Sequence, residues 1–583
     1  MAVGASAVGG LLAACGGSSA PASSSAAPST IASAGSAKPS ASTVSSAPAS
    51  AAAKPSAAGS GGAVASGSPA ASGAASVRIP KGISLPTYAP VQGPPPDFPG
   101  TPAGVPPAYT SYPKNLIQTV KQAPGKGDDI TATTYVISGQ PPTPVDQNQN
   151  WQAINKALNA TIKIDAVAYA DYPTRITTIL AGNDLPDMFC ISVLGSLIPG
   201  MPDFMAAKCQ DLTPFVAGDA IKDYPNLANL PPASWVTGVF NKKIFAVPQV
   251  DQIGGNDLLS NGKLLAAVGA SADSFKNTDD FTRVAKQLTQ AGKQWAIGSN
   301  ILSWTSMVFR APNDWREQGG KLTKDIETDE YKAAVAYLRS LWDAGVIWPD
   351  TPSSSVNTLA QGFYAAKYAF WPNLFLAFTG AYDSVVAQDP NFNLHATPPF
   401  GHDGGNGVQF LSAPSVGLTV LKQASADRIK ELLGVLNFLA SPFGSQENLL
   451  VGFGVKDVDY QLDANGNPKP TQKGTAEALP WPGLVRRPPV LYDATNPQAA
   501  KVGYDDESKI VPLGQYSPTV GLYSNTYAQK GATLNRAFSD GVNQILFGRE
   551  PVSGLDDLVK AWRSGGGDQI RSEFEQALQD ASK

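Results

Sequence analysis

Histidine and cysteine are nearly absent from this chain, with two of the first and three of the second in 583 residues. Two histidines, His395 and His402, cannot supply a HExxH zinc site, and the sequence holds no CxxC pair, GxSxG elbow or phosphate-binding P-loop. A Ser-His-Asp arrangement would have to use one of those two, and His402, in the turn-rich "FGHDGGNG", either lines a cleft or is solvated. Charge is also scarce: 15% of residues, net −4, pI about 5.4. That balance excludes a nucleic-acid surface and a polybasic membrane patch. The apolar stretch at the start, residues 1–15, falls short of the roughly 20 residues a spanning helix needs. Glycoside hydrolysis stays open on these grounds, because it needs only two carboxylates roughly 5–10 Å apart and the chain has 47 acidic residues.

Serine, alanine, glycine and proline are what the first part of the chain has in excess. From Gly16 to Ser76 they are relieved only by Thr30, Ile31, Lys38, Thr43, Val44, Lys54 and Val64. Such a segment cannot bury enough apolar surface to offset its ordering entropy, so residues 16–127, including the Pro-rich continuation, read as a disordered tether. Sixty such residues reach about 45 Å root-mean-square. The stretch in front, "MAVGASAVGGLLAAC", reads as a signal h-region, and its ending resembles the lipobox of bacterial lipoproteins, which implies lipidation at Cys15. No Lys or Arg precedes Leu11, so the true start is expected upstream.

About 455 residues follow Asp128, more than one core usually serves, so two lobes are expected. "DITATTYVIS" reads as a strand and "WQAINKALNATIKIDAVAYA" as a helix leading to a second strand. "DYPTRITTILAGNDLPDMFCIS" adds a helix and a third strand. This βαβαβ order implies a mainly parallel α/β sheet with helices on its faces and a ligand site at the strands' carboxyl ends. Cys190 and Cys209 are either an exported disulfide or two small buried apolar residues.

The phrases "NKALN", "ADYPTR", "LAGNDLPDMF", "DLTPF", "YPNLANLP" and "IFAVPQV", followed by "APNDW", "GGKL", "ETDEYKAAVAYLRSLWDAGVIWPD" and "FYAAKYAFWPN", resemble in content and order the extracellular solute-binding proteins of family 1, and within them the LipO-like lipoproteins. The tail, "LFGREPVSGLDDLVKAWRSGGGDQIRSEFEQAL", matches that subgroup as well. The resemblance implies a two-lobe periplasmic-binding-protein (Venus flytrap) fold with an interlobe hinge and ligand cleft. The expected lobes are 128–248 with 398–455, and 249–397 with 456–583; residues 244–250 and 407–420 are the expected crossings.

Sugar sites combine planar aromatic faces with Asn, Asp and Gln hydrogen-bonders. The candidates are Asn148, Asn150, Asp171, Tyr172, Asn183 and Asp187 from the first lobe, and Trp304, Asn313, Trp315, Trp371 and Asn373 from the second. Each has a structural alternative: Asp187 suits a cap, Asn313 a turn, and the tryptophans a core. The segment where related alginate binders carry a calcium loop, "LTQAGKQWAIGSN", contains no carboxylate, so no metal is expected there, and "DANGN" suits a hairpin turn. No cofactor is expected. The expected role is an exported, lipid-anchored monomer on the outer face of the cytoplasmic membrane, passing an oligosaccharide to an ABC permease without breaking a bond. A secreted carbohydrate-active hydrolase, or a receptor of the same fold for a non-sugar solute such as a peptide, is the alternative.

Overall fold

A computed structural model describes residues 77–136, 141–182, 184–193, 198–251 and 253–583. Cys15, residues 16–76 of the expected tether and Asn183 lie outside them. Among the described residues no helix is long and apolar enough to cross a membrane.

Two sheets form the body. In the first, β1 (Asp129–Val136) lies between β2 (Thr161–Ala168) and β3 (Met188–Val193) and pairs with both in parallel. The alternation along β1 sends Ile130 and Ala132 into one apolar layer and Tyr135 into the opposite one. Helix α1 (Gln149–Leu158) starts where the Asn148 side chain accepts the Trp151 N–H and ends where Asn159 turns left-handed at φ 49°. Its Trp151, Ile154 and Leu158 fall on one face and pack into the layer that holds Ile130. Helix α2 (Tyr172–Ala181) covers the other face through Tyr172, Ile176 and Ile179.

The chain leaves this sheet along β4 (Ala246–Val250) and enters the second sheet at β5 (Asn256–Asn261). β5 is flanked by two more strands of that sheet, β6 (Tyr368–Leu374) and β7 (Leu394–Thr397), both antiparallel to it. The chain then returns as β8 (Ser415–Leu421), which inserts antiparallel between β3 and β4. A strand that enters a sheet at the end where its neighbour left must run against that neighbour. The two-lobe α/β architecture is therefore present, with cores on both faces of each sheet.

Two expectations are corrected. Residues 77–127 are not tether: they pack on the body. Thr87 and Ala89 donate backbone hydrogen bonds to Gly218 O and Ala228 O, and Ala108–Tyr109 pairs in parallel with Leu491–Tyr492. Glu447 accepts the N–H groups of Thr119 and Val120, and Tyr112 packs edge-on against Phe443 with ring centroids 4.9 Å apart. Proline leaves little backbone entropy to lose, so a Pro-rich segment with a few aromatics can order where a Ser/Gly one cannot.

Residues 456–485, expected in the second lobe, pack on the first instead. Leu479, Trp481, Leu484 and Val485 join the layer of Ile130. Gln249 Nε2 donates to Gly483 O at 2.8 Å, and Thr419 Oγ1 to Leu484 O at 2.6 Å. The chain joins the second lobe again with α3 (Pro497–Ile510).

Cys190 and Cys209 are not bonded to each other. Both lie buried in the layer of Tyr135; Cys190 Sγ accepts from Gln249 Nε2 at 3.1 Å, and burial pushes the Cys209 thiol up to about 12.

Removing the ring of Tyr112 (Tyr112→Ala) is expected to cost about 3–5 kcal/mol. A chain started at Asp128 should melt several degrees below one started at Val77, as read by calorimetry; equal midpoints would refute a structural role for residues 77–127.

Candidate interlobe site

A cavity of about 460 Å³ opens between the two sheets. The first lobe supplies Thr237, Phe240 and the start of β8, from Ser415 to Leu418. The second supplies Asn256, Ser303, Asn313 and Asp314, the returning chain Phe410 and Ser412, and a later segment Ser517, Thr519 and Tyr527. Aromatic faces and hydroxyl and amide groups therefore converge from both lobes, as a polar, ring-shaped ligand requires.

Asn256 and Ser303 also line a side pocket of about 200 Å³ inside the second lobe, with Asp257, Asn300, Trp304, Trp371 and Pro372. Trp371 is held by Phe363 and Tyr364, with ring centroids 5.6 and 5.8 Å away. Trp304 packs on Phe281 and Phe400. Its Nε1–H is buried and without a hydrogen-bond partner in the protein.

Behind the side pocket, Asp257 Oδ1 accepts from Gln409 Nε2 at 3.0 Å, and its carboxyl lies within hydrogen-bonding reach of Glu507. Two carboxyls share such a contact only when one holds a proton. Burial pushes Asp257 up to about 7, and the charge of Asp506 adds to that. Glu507 is raised well above the carboxylate range by burial and by facing Asp257 and Asp506. Asp506 in turn takes the Ala396 N–H at 2.9 Å and approaches His395 Nδ1 at 3.2 Å, which raises the imidazole's pKa.

The structure brings together three of the eleven sequence candidates here: Trp304 and Trp371 in the side pocket and Asn313 in the cavity. Asn313 is partly committed, its Nδ2 donating to Leu411 O and Gln515 O at 3.0 and 2.7 Å. Asn183 lies outside the described residues, and the others lie elsewhere. Asn148 caps α1, and its Nδ2 donates to Glu477 O at 3.0 Å. Asn150 lines a separate cavity formed with Asn448, Phe453 and Trp481. Asp171 is exposed at the start of α2, and the hydroxyl of Tyr172 is spent on Cys190 O at 2.8 Å. Asp187 takes the Thr131 N–H and pairs with Lys422 and Arg428, both at 3.0 Å. Trp315 packs against Trp562 and Phe574, and Asn373 is buried with its Oδ1 on Leu374 N. Phe240, Asn256, Phe410 and Tyr527 were not legible from pattern. Phe410 carried one usable signal, its place in the expected return segment.

The carboxyl pair sets a pH dependence. In the unfolded chain these groups ionise near 4, whereas folded Asp257 keeps its proton up to about 7 and Glu507 is raised well above the carboxylate range. Unfolding therefore releases protons between those values, and this contribution to stability falls as pH rises from about 4 to about 7. Asp257→Asn should gain stability relative to the parent as pH goes from 5 to 7.5, measured as the difference in melting midpoint; a difference that does not change with pH would refute the shared proton.

Comparison with known proteins places this geometry. The family model described as "Bacterial extracellular solute-binding protein" matches residues 142–444. Lipoprotein LipO of Bacillus subtilis (strain 168) is 22% identical over 497 residues, covering 80% of this chain and 95% of its own. The polygalacturonan/rhamnogalacturonan-binding protein YtcQ of the same organism is 23% identical over 487 residues, covering 79% and 93%. Among solved structures, an "HMO binding" ABC-transporter-associated solute-binding protein of Bifidobacterium longum infantis aligns with TM-score 0.56 at 13% identity, over 79% of this chain and all of its own. The N-glycan transport protein NgtS of Streptococcus pneumoniae aligns with TM-score 0.54 at 16% identity, over 78% and 99%. With a family match across more than half its length and two sheets enclosing a ligand-sized cleft, the chain belongs to the bacterial extracellular solute-binding proteins.

Proposed function

We propose that this protein is an exported receptor, anchored by a lipid on Cys15, that captures an oligosaccharide in the interlobe cleft and hands it to an ABC importer. The observation that carries this reading is the cavity itself: aromatic rings and uncharged polar side chains reach it from both lobes. A ligand touching both walls favours the closed arrangement, which is what an importer can recognise. A polygalacturonan/rhamnogalacturonan-binding relative and a similarly folded N-glycan transport protein support a sugar oligomer.

No bond is broken on this reading. The buried carboxyls of Asp257 and Glu507 touch each other, whereas a retaining hydrolase holds its pair about 5–5.5 Å apart across the glycosidic bond and an inverting one about 6.5–9.5 Å. Among the described residues no group of three or more His, Cys, Asp or Glu side chains is placed to hold a metal ion.

A thermal-shift screen of the full chain against oligosaccharides, with amino acids and peptides beside them, tests the proposal. A ligand at 100 times its Kd should stabilise the fold by about 2.7 kcal/mol. Phe410→Ala and Asn256→Ala should each weaken that ligand tenfold or more while leaving the unliganded midpoint within a few degrees. Release of shorter sugars would instead mark a hydrolase, and a response confined to peptides would replace the solute.

A further inference from the structure

We infer that the cleft selects uncharged glycans and rejects those that carry a uronate. The inference rests on the carbohydrate reading above and narrows it.

Among the described residues, no arginine, lysine or histidine lines the cavity or its side pocket. The charged groups that do line them are acidic: Asp314 in the cavity and Asp257 in the side pocket. Lys324 bonds Asp314 Oδ1 at 2.6 Å, but it also bonds Asp325 Oδ1 at 2.5 Å, so its single charge faces two carboxylates. Behind Asp257 stand Glu507 and Asp506, and the His395 ring that approaches this cluster is already on Asp506 at 3.2 Å.

A sugar carboxylate entering this space would shed its hydration and find no guanidinium or ammonium to receive it. In the side pocket it would also lie beside a buried carboxyl, where like charges disfavour each other. A hydroxyl meets the opposite situation. It can exchange hydrogen bonds with Asn256 and Ser303, uncharged residues that line both the cavity and the side pocket. An amide and a hydroxyl suit a group that both donates and accepts, which a hydroxyl is and a carboxylate is not. Trp304 and Trp371 back this wall from the cores of the second lobe.

The test is calorimetric titration of the full chain at pH 7.5 with matched pairs: α-1,4-galacturonotriose and its carboxyl-reduced galactotriose, and glucuronoxylo-oligosaccharide against xylo-oligosaccharide, with neutral gluco- and manno-oligosaccharides alongside. At least one neutral glycan should bind, and each uronate should bind at least tenfold more weakly than its neutral counterpart. A uronate binding as tightly as that counterpart overturns the inference and leaves the carbohydrate reading standing. Binding by neither class overturns both. Ser303 is exposed and lines both the cavity and the side pocket, so Ser303→Arg adds a cation at little cost to the fold. It should shift the uronate-to-neutral ratio tenfold or more toward the uronate; an unchanged ratio also overturns the charge account.

Discussion

A Cβ on Gly255 would lie 1.9 Å from the carbonyl oxygen of Phe410, and one on Gly254 would lie 2.8 Å from Glu507 Oε2. These two glycines form the first crossing between the lobes, and Phe410 belongs to the second, so the crossings touch backbone to backbone with no room for a side chain. The closeness fixes much else. It brings Asn256 and Phe410 to one cavity. It also lays Asp257 against Gln409 and Glu507, burying a carboxyl pair that water would otherwise keep ionised. A hinge built this way has few torsions free to absorb motion, which suits a rotation of one lobe against the other.

The first lobe is held together by more than its strand ladders. Gln249, the penultimate residue of β4, accepts from the Tyr135 hydroxyl and donates to Thr419 and Gly483. One amide thus ties the first strand, the returning strand and the third segment of the first lobe. Such a buried, fully engaged amide specifies one arrangement, because any other leaves its donors unpaired. The segment ahead of the body works from outside. Lys81 donates to Ala581 O in the second lobe, Thr87 and Ala89 bond to the first, and the Tyr504 hydroxyl in α3 reaches back to Pro99 O. The strap therefore contacts both lobes, and its prolines keep the entropy of holding it there small.

How far the sequence could be read follows from which signals are local. The βαβαβ order of residues 129–193 was legible because β-branched runs, the Asn148 cap and the apolar face of α1 are all set by neighbours in the chain. The two-lobe class followed from that order and from the ordered family phrases. The strap was missed because composition cannot register a partner hundreds of residues away, such as Glu447 for Thr119 or Leu491 for Ala108. The placement of 456–485 failed for the same reason. Among site residues, Trp304 and Trp371 stood out as aromatics near a strand end or a loop. Tyr172 and Asp187 offered the same chemistry to pattern reading, yet their polar atoms are consumed by Cys190 O, Thr131, Lys422 and Arg428. Residue type marks what could bind, and only tertiary pairing separates the groups left over.

The groups left over at the cleft are where structure passes into function. Asn256 and Ser303 are shared by cavity and side pocket, so a ligand held there draws its contacts from the second lobe. A ligand that also touches Phe240 and the start of β8 engages the first lobe at the same time. Contacts on both walls exist only when the lobes are close, so binding energy drawn from the second-lobe pocket is expressed as a preference for closure.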